Sequence, residues 1–374
     1  MKIGIDSRPL REEKTSGIPA YVRNLLKSLA DLDQKNDYVL YAHKDFPFTT
    51  SNPRWSKRSG ALTRYGTIWM QLELPLWLKE DQIDIFWGTQ HTLPLLMPKR
   101  IKTVLTMHDL VHLIFPDTMK AKNYIINKLV IPPSIARSNA LVAISHWTLN
   151  DVKKHFYPKN KIMKVTHLGI GKNFHPRDAS QAQKRVKEEL NLQTPYILTV
   201  GTFEPRKNII GTFHAFEMIA DQIPHRLVIV GQKGWKNEAT FREMKQSKYW
   251  PRVHIVGFVP DELLPDVYSS ADLFLFPSLY EGFGIPPLEA MACGVPVVAS
   301  NVSSIPEVVE DAAILVNPNN IAEMSQHILD LLQNRSLRDR MVKKGLEQIK
   351  KFTWTKTAHA MMEVFDRVGS NSSV

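Results

Sequence analysis

Short apolar runs, each closed by a glycine or a polar loop and followed by a stretch of helical spacing, recur along the whole chain. In the first half they are Lys2–Asp6, Asp37–Ala42, Asp84–Trp87, Lys102–Met107 and Ala140–Ser145. In the second half they are Tyr196–Val200, Leu227–Val230, Val253–Val256, Ala271–Pro277, Val295–Ala299 and Ala313–Val316. Runs this short and this apolar suit parallel strands covered on both faces, with the intervening helices as the cover. The pattern predicts two α/β domains, each a doubly wound, Rossmann-like parallel sheet. The length agrees, since 374 residues at about 150 per domain make two. The boundary is expected within Lys161–His175, where Gly169-Ile170-Gly171 suits a hinge between domains 1–170 and 171–351.

The densest chemistry lies in Tyr280–Ser300, YEGFGIPPLEAMACGVPVVAS. After the apolar run Ala271–Pro277 come a turn with Gly282 and Gly284, a proline pair, and a short helix that Gly294 stops before the next run. A strand, glycine loop and helix in this order aim backbone N–H groups at one point, a natural seat for phosphate. Glu281 and Glu289 frame that seat. A carboxylate beside phosphate is unfavourable unless it accepts hydrogen bonds from hydroxyls, which a sugar or ribose carries. Taken alone, the two residues read equally well as a solvated loop glutamate and a helix glutamate favoured by the macrodipole.

The run Tyr196–Val200 enters a helix through Gly201-Thr202-Phe203-Glu204-Pro205-Arg206-Lys207-Asn208. Arg206 and Lys207 are consecutive cations where a phosphate would sit, Arg as a bidentate clamp and Lys as a point charge. By themselves they are also an ordinary solvated basic pair. His108 leaves the Lys102–Met107 strand at its C-terminal end, where open α/β sheets bind ligands, although a structural histidine fits there too. Ser16-Gly17-Ile18-Pro19 starts a helix to about Leu32, with Gly17 permitting close backbone approach. Further helices are expected from Ser145 through Phe156, after a cap at Ser303–Glu307, at about 321–333 and 336–350, and from Phe352-Thr353-Trp354 to about Arg367. The tail Gly369–Val374 reads as disordered.

Residues 1–170 hold 25 Lys and Arg against 14 Asp and Glu, while residues 171–374 hold 23 of each, so the whole net charge of +11 sits in the first half. No nucleic-acid-reading module accompanies it, and the expected partner is an anionic membrane surface rather than nucleic acid. Residues 43–66, with Arg54, Lys57, Arg58 and Arg64, read as a mobile basic loop. The following Gly66–Leu78 concentrates Trp69, Met70, Leu72, Leu74, Leu76 and Trp77 around Pro75, either as core or as a segment gripping lipid. The single cysteine, Cys293, excludes an internal disulfide framework and reads as a packing residue in a reducing compartment. No run approaches the ~18 apolar residues of a spanning helix, and the N-terminus reads as a strand, so a cytoplasmic protein peripheral to the membrane is expected.

The string around Glu281 and Glu289 closely resembles the Glu-x7-Glu motif of retaining nucleotide-sugar glycosyltransferases of family 4. The resemblance extends to the Gly201–Asn208 pattern, to His108-Asp109, to a linker before Phe174-His175-Pro176 and to Phe352-x-Trp354, nearly the whole chain. It implies the GT-B fold, two Rossmann-like domains facing across a cleft, with the C-terminal helix 352–368 crossing back to the N-terminal domain. It implies an N-terminal acceptor domain and a C-terminal donor domain. Arg206, Lys207, the Gly17 and Gly201 loops and the N–H groups of Phe283, Gly284 and Ile285 would hold the donor diphosphate. Glu281 would orient sugar hydroxyls, Glu289 the ribose, Phe258 and Val259 would lie beside the base, and His108 near the sugar. No cofactor and no metal are implied, because no Asp-x-Asp motif accompanies the paired cations. The set HDL, EPRKN and EGFGIPPLEAMACG is similar to bacterial mannosyl- and rhamnosyltransferases of surface polysaccharide assembly. GDP-mannose is therefore the leading donor, with a UDP-hexose next and a saccharide or polyprenyl-linked acceptor. A sugar-nucleotide epimerase and a non-catalytic sugar-nucleotide-binding protein are the rival readings. Acceptor, linkage and oligomeric state stay open.

Overall fold

The computed structural model describes residues 1–11, 17–63, 65–119, 121–232 and 238–370. The chain divides into two compact units: Met1–Gly169 together with the segment from Thr353 onward, and Ile170–Phe352. Each is built on one wholly parallel sheet.

The strands of the first unit are β1 (Lys2–Asp6), β2 (Asp37–Tyr41), β3 (Trp55–Arg58), β4 (Ile85–Gly88), β5 (Lys102–Met107), β6 (Ala140–Ala143) and β7 (Ile162–Val165). Their order is β3-β2-β1-β4-β5-β6-β7. The second unit has β8 (Tyr196–Val200), β9 (Arg226–Val230), β10 (Val253–Gly257), β11 (Leu273–Phe276), β12 (Val297–Ser300) and β13 (Ile314–Val316), ordered β10-β9-β8-β11-β12-β13. Both orders reverse beside the first strand of the unit, between β1 and β4 and between β8 and β11. The loops leaving those two strands diverge to opposite faces, which opens a crevice at their C-terminal ends.

The C-terminal helix Trp354–Ser370 belongs to the first unit, as the Phe-x-Trp start led us to expect. It buries Thr357, Ala358, Met361, Val364, Phe365 and Val368, a three-and-four-residue spacing, and packs on helix Gly17–Leu32, which buries Tyr21, Val22, Leu25, Leu26 and Leu29. Phe365 meets the rings of Tyr38 and Trp87, and Thr357 donates to the carbonyl of His167 at 2.6 Å. A Cβ on Gly169 would lie 2.2 Å from the backbone nitrogen of Trp354, so this glycine is demanded by the returning chain rather than only by freedom to flex. Gly369 and Ser370 continue the helix, against the expected disordered tail, and residues 371–374 lie outside the described residues.

One further expectation is corrected, and one left open is resolved. Residues 43–66 are not simply a loop: Trp55–Arg58 pairs with β2 as the edge strand β3. Its basic residues are engaged, Lys57 with Asp45 at 3.2 Å and Arg58 with Glu80 and Asp81 at 2.6 and 3.0 Å. Arg64 lies outside the described residues. The apolar Gly66–Leu78 stretch forms two helices, Gly66–Leu72 and Leu74–Glu80, parted at Glu73 where Pro75 opens the second. Trp69 is fully buried in the core of the first unit, and Trp77 packs against that core beneath the Arg58 guanidinium. Of the two readings of this stretch, core packing is the one that holds for both tryptophans.

Candidate active site

The crevice end of β8 carries Gly201 and then a single 3-10 turn, Pro205–Lys207, stopped by Asn208 in the left-handed region. Asn208 is well suited to that position: its side chain accepts from the N–H of Gly211 and donates to the carbonyls of Pro277 and Pro318, at 3.2, 3.2 and 2.9 Å. The neighbouring β11 ends at Phe276 and delivers Ser278–Gly284 to the same place. The two loops are stitched together where Leu279 donates to the carbonyl of Arg206 at 2.7 Å.

Three predicted residues meet there. Lys207 Nζ lies 2.5 Å from Glu281 Oε1, and Arg206 Nη1 lies 3.1 Å from Glu281 Oε2. Arg206 also bonds Glu204 Oε2 at 2.9 Å and the Tyr280 carbonyl at 3.2 Å. Burial by itself pushes the Glu281 carboxyl up, but the cations beside it outweigh burial and hold it below the usual glutamate range. The cluster is therefore two cations matched by two carboxylates, with Glu281 only 7% exposed. The loop under Glu281 is pinned by hydroxyls: the Ser303 hydroxyl oxygen accepts from the Glu281 N–H at 3.0 Å, and Ser304 donates to the carbonyls of Glu281 and Phe283 at 2.9 and 3.0 Å. The sequence suggested a cap at Ser303–Glu307; Ser304 instead makes no side-chain cap to helix Ile305–Val309 and serves the glutamate loop.

Gly284 stands at the N-terminus of helix Ile285–Ala292 with φ +98, a conformation an L side chain rarely adopts, and an added Cβ would lie 2.4 Å from Ile305 Cδ1. Phe283 is buried and Ile285 half-buried in the first turn. Glu289, half-buried on the same helix, meets no cation among the described residues and accepts a 2.8 Å hydrogen bond from the Tyr268 hydroxyl. Burial pushes Glu289 up to about 7; Tyr268 pulls it down and Asp261 adds to the rise. A carboxyl raised from 4.5 favours folding in its protonated form, so its contribution is present below 4.5 and lost as pH rises through 7. We expect Glu289→Gln to melt close to wild type at pH 5 and above it at pH 8, measured by thermal denaturation at both values; parallel melting curves across that range would contradict this.

Phe258 is exposed beyond β10 and Val259 is buried, and Cys293 is buried, with its thiol pushed up to about 12 by desolvation, as a packing residue should be. In the first unit Gly17 begins its helix at φ +67 with open space where a Cβ would be; Ser16 lies outside the described residues. His108 is 5% exposed at the end of β5, its Nε2 2.7 Å from the Thr89 carbonyl and its ring edge-on to Tyr21 and His91. A carbonyl only accepts, so Nε2 carries the proton; burial and His91 push the imidazole down to about 3, leaving it neutral with Nδ1 as an acceptor. Glu204, Tyr268, Ser303 and Ser304 were missed as site residues, and of these only Glu204 carried a signal, its place inside the EPRKN string.

The family described as Glycosyltransferase Family 4 matches residues 15–170, and that described as Glycosyl transferases group 1 matches residues 180–348. Over 262 residues the chain is 34% identical to the O-antigen chain mannosyltransferase B of Escherichia coli, covering 69% of this chain and 68% of that protein. The chain belongs to glycosyltransferase family 4. This glycosyltransferase is also 29% identical to the serotype-specific mannosyltransferase WbdA of Escherichia coli, of whose length the match spans 34%. Its fold is GT-B: it superposes on sucrose-phosphate synthase from Thermosynechococcus elongatus with a TM-score of 0.78, at 21% identity, over 99% of this chain and 100% of the other. Among the described residues no helix of the glycosyltransferase is long and apolar enough to cross a membrane.

Proposed function

We propose that this glycosyltransferase moves a hexosyl group, mannose from GDP-mannose first among the candidates, onto a saccharide or lipid-linked saccharide in surface-polysaccharide assembly. The observation that carries the reading is the Arg206–Lys207–Glu281 cluster at the sheet reversal beside the N-terminus of helix Ile285–Ala292. Mannose is favoured by the two Escherichia coli relatives, both named as mannosyltransferases.

In this reading the bond between the sugar C1 and the donor phosphate oxygen breaks, and a bond from C1 to the acceptor oxygen forms on the same face, retaining configuration. The acceptor's proton passes to the leaving diphosphate. Arg206 and Lys207 stabilise the charge that grows on that diphosphate, with the N–H groups of Phe283, Gly284 and Ile285 and the Gly17 and Gly201 loops around it. Glu281 orients sugar hydroxyls, Glu289 the ribose, and Phe258 and Val259 flank the base. Neutral His108 accepts a sugar hydroxyl at Nδ1. Two cations already supply what a divalent ion would, so transfer is metal-independent.

The experiment is calorimetric titration with GDP, UDP, GDP-mannose and UDP-glucose in EDTA. Tight GDP binding supports the donor and metal independence together. A UDP preference keeps the class and moves the donor to a UDP-hexose, and binding of none of the four ends the reading.

We also place this enzyme at an anionic membrane surface, with a different face from the one the tryptophans suggested. Ile68, Leu72 and Leu76 are exposed on the two short helices whose other side buries Trp69, and Leu62, Tyr65, Leu96, Ile125 and Leu129 are exposed in the same unit. Glu73 ties the Leu62 segment to these helices, accepting from the N–H groups of Leu62 and Thr63 at 3.0 and 2.9 Å. Lys122 and Lys128 accompany Ile125 and Leu129 on one helix. Vesicles with 30% phosphatidylserine should sediment wild type and release Leu72→Ser/Leu76→Ser, with partial release in high salt, given a Debye length of about 10 Å at 0.1 M. Equal binding of wild type and variant would remove this face from the argument.

A further inference from the structure

The sheet reversal of the first unit, between β1 and β4, opens a second cavity of about 220 Å³ that no role given so far uses. Arg8, Gln71, Gln90, His91 and Asn127 bring polar groups to it, and Met70 and Val130 are among its apolar walls. His91 stands out. Its φ is +58, its N–H is tied to the Thr106 carbonyl at 3.0 Å, and its buried Nδ1 has no hydrogen-bond partner among the described residues. A buried imidazole nitrogen without a partner is unfavourable, and a non-glycine residue at this φ persists only where its surroundings hold it. Here they do: Gly88 packs against the Thr92 carbonyl, so tightly that a Cβ would approach it to 2.6 Å, and the Leu93 N–H donates to Ser134 at 3.0 Å. The loop therefore holds His91 against the cavity on one side and edge-on to His108, at 5.3 Å between ring centres, on the other. Burial pushes the ring's pKa down, leaving it neutral, with the unpartnered Nδ1 still able to make one hydrogen bond, accepting or donating according to tautomer.

The charge balance selects the ligand class. Arg8 is the one cation among the described lining residues, and Asp6, fully buried, holds it bidentately at 2.8 Å on both oxygens. With that charge matched and no carboxylate among the described lining residues, the cavity presents neutral amide and imidazole groups beside apolar walls. Alternating hydrogen-bonding and apolar surface is what a neutral sugar ring offers in return, and 220 Å³ is below the 300–1,000 Å³ range of larger ligands, so one ring fits.

We propose that this cavity holds the terminal, uncharged hexose ring of the acceptor, and that His91 is a positioning residue that orients its hydroxyls. The proposal rests on the reading of this enzyme as a transferase to a saccharide. It is tested with a panel of p-nitrophenyl α- and β-mannosides, glucosides, galactosides and N-acetylglucosaminides, binding followed by saturation-transfer NMR with GDP present. Wild type should bind at least one member, with hexose 6-phosphates no tighter than the parent sugars. His91→Asn, which tolerates the same φ, should weaken that glycoside about tenfold, and Asn127→Leu on the facing wall should do the same with the loop untouched. GDP affinity and melting temperature should stay at wild-type values in both. No glycoside bound by wild type, tighter binding of the phosphorylated sugars, or equal binding by Asn127→Leu would each overturn the proposal. Loss of GDP binding by wild type would instead strike the donor reading, since glycoside binding is scored separately.

Discussion

Glu281→Gln should bind GDP about tenfold more tightly than wild type and yet transfer sugar 10²–10³-fold more slowly. Glu281 engages the same two cations that the proposed reading assigns to a diphosphate, with contacts of 2.5 Å to Lys207 and 3.1 Å to Arg206. Removing its charge takes the cluster from two cations and two carboxylates to two cations and one, and a tenfold gain in affinity corresponds to about 1.4 kcal/mol. The loss in turnover follows if Glu281 orients the sugar in the transition state, where removing one such contact costs about 10²–10³ in rate. Calorimetry with GDP and single-turnover assays with the donor read the two effects separately. Weaker GDP binding by the variant would show that Glu281 supports the anion site instead of competing for it.

Lys207→Met should lower GDP affinity and turnover together, each by about 10²–10³-fold, because the ammonium is the cation closest to Glu281 and the methionine keeps its volume without its charge. It should also unfold more easily. Glu281, 7% exposed, keeps Arg206 as its cation among the described residues, and breaking a buried ion pair by removing one partner costs about 3–5 kcal/mol, reduced here by the cation that remains. Glu281→Gln/Lys207→Met should recover part of that stability without recovering turnover, a separation that thermal melts and assays on the same samples would check. If the double variant melts no higher than Lys207→Met, the cost lies in packing around Phe276, whose ring the Lys207 ammonium covers at 5.3 Å, and not in charge.

The parallel-sheet architecture was legible because a strand covered on both faces must be apolar throughout. Runs such as Phe274–Phe276 and Val297–Ala299 have no other economical use. The same reasoning failed at β3. Trp55–Arg58 is an edge strand with exposed Ser56 and Lys57, and a strand with one open side carries charge where an inner strand cannot. The turn before helix Ile285–Ala292 was legible locally, since Gly284 and the proline pair specify a turn and a helix start without help from elsewhere. The reading of Trp69 and Trp77 as candidates for lipid contact was not secure, because apolar mass names no direction. Packing decides which side of a helix is covered, and it turned Trp69 inward and left Leu72 and Leu76 outside.

Sequence by itself determined the class of fold and the residue types of the loops Gly201–Asn208 and Tyr280–Glu289, because these depend on neighbours along the chain. Only the tertiary structure decided which of those residues meet. Lys207 and Glu281 are 74 positions apart and touch because β11 is laid beside β8 with the sheet reversing between them. Their ionisation follows from the same step. A carboxyl whose burial would neutralise it stays charged with two cations at hydrogen-bond distance, whereas Glu289, eight positions on and partnered by the Tyr268 hydroxyl, rises to about 7. Strand order is a long-range property, set by which apolar surfaces can be covered together, and no local pattern of residues encodes it.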